Sequence, residues 1–195
     1  MQNPVLILPG LGNSDSEHWQ TRWENNNPAF RRVQQRDWDA PVCEEWLEQL
    51  EIAVADSGPQ TVLVAHSLGC LLVAHWAQQT LHRIHGALLV APPDPAQPSF
   101  PPRVRGFSPV PAAAFPFPST VVASPDDPYA SSAYARRCAA DWGARFVEIE
   151  PCGHINASSG LGDWEEGFEL LRHLIDNGGQ AELPRVSTSS ASGLG

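Results

Sequence analysis

Residues Val62–Gly69 read VLVAHSLG, and the chain runs on from Leu68 to Gln79 as LGCLLVAHWAQQ. An apolar run of strand character ends at His66, a serine follows, and a helical pattern starts at once. A serine at so abrupt a strand-to-helix junction matches the nucleophile elbow, G-x-S-x-G, which exposes its hydroxyl at the carboxyl edge of a sheet. Here the five positions are Ala65, His66, Ser67, Leu68 and Gly69. The outer two must be small, because strand and helix backbones pass close together there; Gly69 meets that demand and Ala65 is a mild departure. Serine is also favoured as a plain helix N-cap, so the partners that an elbow serine requires must decide between the two readings.

Outward from the elbow, short apolar and β-branched-rich runs recur at Val5–Leu8, Val33–Gln35, Thr61–Ala65, Ala87–Val90, Thr120–Ala123 and Arg145–Ile149. Stretches of helical periodicity separate most of them: Val42–Ala55, Leu68–Gln79 and Ser131–Trp142, with Trp164–Ile175 as the last helix. In the first of these Trp46, Leu47, Leu50 and Val54 share a face with acids opposite, as a helix covering a sheet requires. Several strands are continuous apolar runs rather than alternating ones, which predicts a sheet buried on both faces and therefore parallel. Right-handed crossovers then give a doubly wound α/β sheet with helices on both faces. Ten of the nineteen prolines fall between Pro92 and Pro118, too many for a helix interior or a central strand. That segment is expected to be an irregular flap over one edge of the sheet.

The 195 residues, 42% hydrophobic and 17% charged, fit one globular domain, expected over residues 1–176. Residues 177–195, low in apolar content and rich in Gly and Ser, are expected to form a flexible tail. The formal charge of −10 has no compensating basic block, since Arg31, Arg32 and Arg36 are scattered and Arg136 and Arg137 form only a pair. Nucleic acid is therefore not an expected partner. Cys43, Cys70, Cys138 and Cys152 show no C-x-x-C spacing and read as reduced, structural thiols. The opening MQNPVLILPG has no positive n-region and only a short apolar run, so no signal peptide or membrane span is expected and a cytoplasmic location is the default.

A serine nucleophile needs a base that is itself oriented by an acid, and on this kind of sheet the chain order is Ser, Asp or Glu, then His. After Arg145–Ile149 comes EPCGHIN, which places His154 in a loop behind Gly153; after Thr120–Ala123 comes SPDDPYAS, which offers Asp126 and Asp127. Order and placement both fit. Neighbouring residues point in different directions, so only one aspartate can reach His154, and spacing alone leaves the choice open. His75, His82, His85 and His173 follow no late strand and read as surface or packed side chains, and no third ligand beside His82 and His85 indicates a metal site. The developing oxyanion needs two backbone donors, for which the N–H of Leu68 and that of Leu11 are the preferred pair, with Gly12 next. The glycines of PGLGNSD do not complete G-x-G-x-x-G and no phosphate-cradling lysine follows, so no nucleotide cofactor is expected.

With these residues in place, the sequence resembles the small α/β-hydrolase family of serine hydrolases that includes retinoblastoma-binding protein 9. The blocks carrying the resemblance are PGLGNSDSEHWQ, RDWDAPVCEEWLEQL, AHSLG, PFPSTVVASPDDPYAS and GHINASSGLGDWEEG, in order between Val5 and Leu174. The resemblance implies an α/β-hydrolase fold of about six parallel strands with a minimal cap. It places the acid at the aspartate before the proline of D-D-P, here Asp127, and the base at His154. It also puts His18 and Trp19 of EHW near a pocket rim, where Gly12 and His66 would join them, and it makes Trp164 and Gly167 structural supports of the histidine loop.

The implied function is a metal-independent, carboxylesterase-like serine hydrolase without a cofactor, a monomer or small homo-oligomer, that cleaves a small ester, thioester or amide through an acyl-enzyme. The alternative is a protein-interaction module that keeps the fold with little turnover. Phe100, Phe107, Phe115 and Phe117 of the proline-rich segment would support docking if their rings were exposed.

Overall fold

The computed structural model describes residues 3–177, so the expected tail lies outside the described residues apart from Asn177. In chain order the elements are β1 (Val5–Leu8), α1 (Trp19–Asn26), β2 (Phe30–Arg32), α2 (Cys43–Ser57), β3 (Val62–His66) and α3 (Leu68–Trp76), followed by β4 (Gly86–Val90), β5 (Ser119–Ala123), α4 (Ser132–Trp142), β6 (Arg145–Glu148) and α5 (Glu165–Asn177). A short 3₁₀ turn, Ala157–Ser159, precedes α5.

The strands form one parallel sheet in the order β2-β1-β3-β4-β5-β6. Every residue of β1, β3, β4 and β5 is buried, so both faces are covered, as the unbroken apolar runs required. Side chains alternate between two cores. Leu6, Leu8, Leu63 and Ala65 face α2, α3 and α4, whereas Val5, Ile7, Val62 and Val64 face α1 and α5. The chain leaves β1 in one direction for β2 and returns past it to β3, so the order reverses between β1 and β3. In such sheets a ligand crevice opens outside the carboxyl ends of the strands at that reversal.

Two local expectations are corrected and one helix is added. The second strand is Phe30–Arg32 rather than Val33–Gln35, because Val5 pairs with Phe30 and the edge strand parts from β1 after Ile7 meets Arg32. Helix α1 has no counterpart among the expected elements: its sequence WQTRWENN has little apolar periodicity, and it is held by the buried Trp19, Gln20 and Trp23. Gln20, fully buried, donates to the carbonyls of Leu8 and Val64 at 3.3 and 3.1 Å and so ties α1 to β1 and β3. The proline-rich segment is irregular as expected, but it lies along the α2–α3–α4 face rather than over a sheet edge. Phe107 packs edge-on against Trp46, and Phe115 stacks on Trp142 at 5.3 Å. Phe107, Phe115 and Phe117 are buried and Phe100 is partly buried, which removes the exposed aromatic surface that docking would need.

Candidate active site

Ser67 sits between the end of β3 and the start of α3 with φ 54° and ψ −123°, a left-handed conformation that an L residue adopts only under constraint. The constraint is local packing. A Cβ on Gly69 would collide with the carbonyl oxygen of Leu8, and one on Gly10 would lie 2.8 Å from the Ser67 Cβ and 3.2 Å from its Oγ. Glycine at both places lets the β1 loop and the start of α3 close around the serine.

His154 is buried, and its Nε2 lies 2.8 Å from Ser67 Oγ. Its Nδ1 donates to the Asp127 carboxylate, 2.8 Å from Oδ2 and 3.0 Å from Oδ1. A ring that donates through Nδ1 presents a lone pair at Nε2, the tautomer able to accept the serine proton. The Asp127 side chain is only 4% exposed and also accepts from the Tyr129 N–H at 2.8 Å, which fixes the carboxylate toward the ring. Tyr129 meets His154 edge-on with ring centroids 4.6 Å apart. The two aspartates thus separate as only one could reach His154: Asp127 meets the imidazole, and Asp126 Oδ1 accepts from the Gly153 N–H at 2.8 Å. Hydrogen bonds from Ser124 and from Gly153 hold the Asp126 carboxyl below the usual carboxylate range.

These groups open into a cavity of about 450 Å³, within the range of small-molecule sites. Leu11, Phe100, Pro101 and Val104 give it an apolar wall; Asn13, Asp15, Asn156 and Ser158 give it a polar one. Leu68 and Leu11 both line it, and neither backbone N–H donates a hydrogen bond among the described residues. The Gly12 N–H instead donates to the Trp38 carbonyl at 2.8 Å, so it is not available as the second donor.

Of the four expected rim residues, His18 and His66 line the cavity, while Gly12 and Trp19 are not among its lining. Trp19 is buried, and its indole N–H donates to the Ile155 carbonyl at 2.8 Å. His18, His66 and His154 form a row of rings, with centroid separations of 4.7 and 4.9 Å. Burial lowers His18 to about 4, against an opposing pull from Asp15, and burial with the neighbouring imidazoles holds His66 well below the usual imidazole value, so both are neutral near pH 7. His18 caps α1 by accepting the Gln20 N–H at Nδ1. Trp164 covers Gly167, where a Cβ would strike its ring. Among the described residues no three His, Cys, Asp or Glu side chains converge as a metal-ligand set, and no helix is long and apolar enough to cross a membrane. The thiols of Cys43, Cys70, Cys138 and Cys152 are all unpaired, and burial raises each of them, Cys43 to about 12 and Cys138 to about 11.

Sequence reasoning missed Gln20 and the indole donors of α1, because nothing in a short polar helix marks its side chains as ties to β1 and β3 or to loops more than a hundred residues away.

The family model described as serine hydrolase matches residues 5–173. No curated protein sequence matches the chain. Among solved structures, a YdeN-like hydrolase from Pectobacterium atrosepticum is 31% identical, with a TM-score of 0.80 over 92% of this chain and 94% of that one. The YdeN protein of B. subtilis is 20% identical, with a TM-score of 0.73 over 90% of this chain and 100% of its own. An esterase from Thermogutta terrifontis shares the fold at 15% identity, with a TM-score of 0.65 and 92% of each chain covered.

Proposed function

The chain belongs to the serine hydrolase family, and we propose that it cleaves a small ester, thioester or amide by acyl transfer to Ser67. The observation that carries this reading is the 2.8 Å contact between Ser67 Oγ and His154 Nε2, made by a serine held in a strained elbow at the floor of a cavity.

In this reading His154 accepts the hydroxyl proton as Ser67 attacks the carbonyl carbon, and it returns that proton to the leaving group. Asp127 holds the ring in the required tautomer and stabilises the imidazolium. The Leu68 and Leu11 N–H groups take the charge that develops on the carbonyl oxygen. Water, deprotonated by the same histidine, then releases the acid and regenerates Ser67. The apolar wall of Leu11, Phe100, Pro101 and Val104 suits a short acyl chain, and the polar wall suits a hydrophilic leaving group.

The test is a fluorophosphonate probe followed by intact mass. A single adduct on the native protein, absent from folded Ser67→Ala and from His154→Ala, is the expected result. Equal labelling of Ser67→Ala would place the nucleophile elsewhere, and no adduct under conditions that label a control hydrolase would overturn the enzymatic reading.

A further inference from the structure

The backbone of the loop that carries His154 is gripped at three consecutive residues. The Cys152 N–H donates to Ser124 Oγ at 2.9 Å, the Gly153 N–H donates to Asp126 Oδ1 at 2.8 Å, and the His154 carbonyl lies 2.9 Å from His66 Nε2. A carbonyl only accepts, so His66 carries its proton on Nε2 and donates. Ser124 Oγ in turn donates to Asp126 Oδ1 at 2.5 Å, which joins the first two grips into one unit.

The origin of these side chains is what gives the arrangement meaning. His66 is the last residue of β3 and directly precedes Ser67; Ser124 and Asp126 follow β5 and lead directly into Asp127. The immediate neighbours of the serine and of the aspartate therefore hold the main chain on which the histidine is carried. The Gly153 φ of +68° means that the loop bends sharply just before His154, where a free backbone would let the ring wander from both partners. A misplacement of about an ångström in such a contact can cost on the order of 10²-fold in rate.

We propose that His66 and Asp126 are positioning residues that set the place of His154 relative to Ser67 and Asp127 by hydrogen bonds to the His154 carbonyl and the Gly153 N–H. This rests on the reading of Ser67, His154 and Asp127 as the reacting set. His66 Nε2 donates to that carbonyl in either protonation state, since a protonated ring carries hydrogens on both nitrogens. Asp126 acts through an acceptor oxygen, and an uncharged oxygen in the same place serves equally.

Asp126→Ala, Asp126→Asn, His66→Leu and His66→Gln are compared with the native protein by kcat and KM on p-nitrophenyl butyrate, by the rate of fluorophosphonate labelling, and by urea unfolding. Asp126→Ala is expected to lower kcat and labelling on the order of tenfold with KM within about twofold. Asp126→Asn is expected to recover most of the loss, since its amide oxygen still accepts from Gly153 and Ser124. His66→Leu should fall likewise and His66→Gln recover, because the glutamine amide presents a donor at a similar reach. Should His66→Leu fail to fold, the Asp126 pair, on an exposed residue, decides alone. Native kcat in Asp126→Ala, or an asparagine no better than the alanine, overturns the proposal. Ser67→Ala and His154→Ala run in parallel: full turnover or labelling in either brings down the reading beneath the proposal, whereas silent variants beside an unimpaired Asp126→Ala bring down the positioning role only.

Discussion

Trp19 donates its indole N–H to the carbonyl of Ile155 at 2.8 Å, joining the first turn of α1 to the residue immediately after His154. Trp23, one turn on, donates likewise to the Asp163 carbonyl at 2.6 Å, and the rings of Trp19, Trp23 and Trp164 pack together at 4.6 to 5.9 Å. Helix α1 is thus a brace for the histidine loop as well as a cover for the sheet. Its aromatic area excludes water from bonds that water would otherwise compete for.

Replacing Trp19 by Phe removes the donor and leaves the buried Ile155 carbonyl unpaired, which costs about 1–3 kcal/mol. Urea unfolding of Trp19→Phe should therefore show a lowered midpoint, with fluorophosphonate labelling slowed because the His154 loop is loosened. Labelling at the native rate in a variant of reduced stability would confine Trp19 to the core and remove its link to the site.

Asp127→Asn keeps the shape of the side chain but offers an N–H where His154 Nδ1 now donates, favouring the other tautomer with its proton on Nε2, facing Ser67. A loss in kcat of about 10⁴-fold is expected, with the fold intact by circular dichroism. The same change at Asp126 should leave most activity in place, since that carboxylate meets backbone and hydroxyl donors rather than the ring. Comparable losses at both positions would contradict the separation of the two roles.

Gly10→Ala puts a methyl group 2.8 Å from the Ser67 Cβ and 3.2 Å from both its Oγ and the Leu68 nitrogen. On the proposed acyl transfer, that methyl crowds the Leu68 N–H that would receive the developing oxyanion. Activity should fall by about 10²–10³-fold, the range seen when one such donor is lost. The measurement is kcat/KM on p-nitrophenyl esters together with thermal unfolding; retained turnover in a folded variant would show that the reacting carbonyl lies elsewhere in the cavity.

The parts of the site legible in the sequence were those with a strong local signature. Ser67 stood at a change of period from strand to helix, and the loops after β5 and β6 brought the carboxylate and imidazole in the required order. Strands β1, β3, β4 and β5 were legible because full burial writes itself as unbroken apolar runs. Edge strand β2 was misplaced because only one side of it is paired, so its burial pattern is mixed. Helix α1 escaped notice for a different reason: Trp19 and Trp23 are held by distant loops and Gln20 by the carbonyls of β1 and β3, not through an apolar stripe. The choice between Asp126 and Asp127 turned on which way two adjacent side chains leave one turn. That is a property of backbone direction, which spacing does not carry.

The neutral histidines make stability depend on pH in a definite sense. His18 is lowered to about 4, first by burial and then by the neighbouring Arg32 and His154 against an opposing pull from Asp15, and His66 is lowered well below its ordinary value, again chiefly by burial. A folded value below the unfolded one means that the unfolded chain binds more protons once the pH drops below about 6.5, so stability rises with pH. The contribution is fully present above that value and is lost as pH falls; for His18 alone the loss amounts to about 2 kcal/mol by pH 5 and is complete below its folded value of about 4. His18→Asn keeps an N-cap acceptor for α1 while removing the titrating ring. Urea unfolding at intervals from pH 7.5 to 5 should therefore show a declining native midpoint and a shallower decline in His18→Asn, with His66 supplying the remaining slope. Parallel declines in the two proteins would mean that His18 can be protonated in place, and that the row from His18 through His66 to His154 is open to water rather than dry.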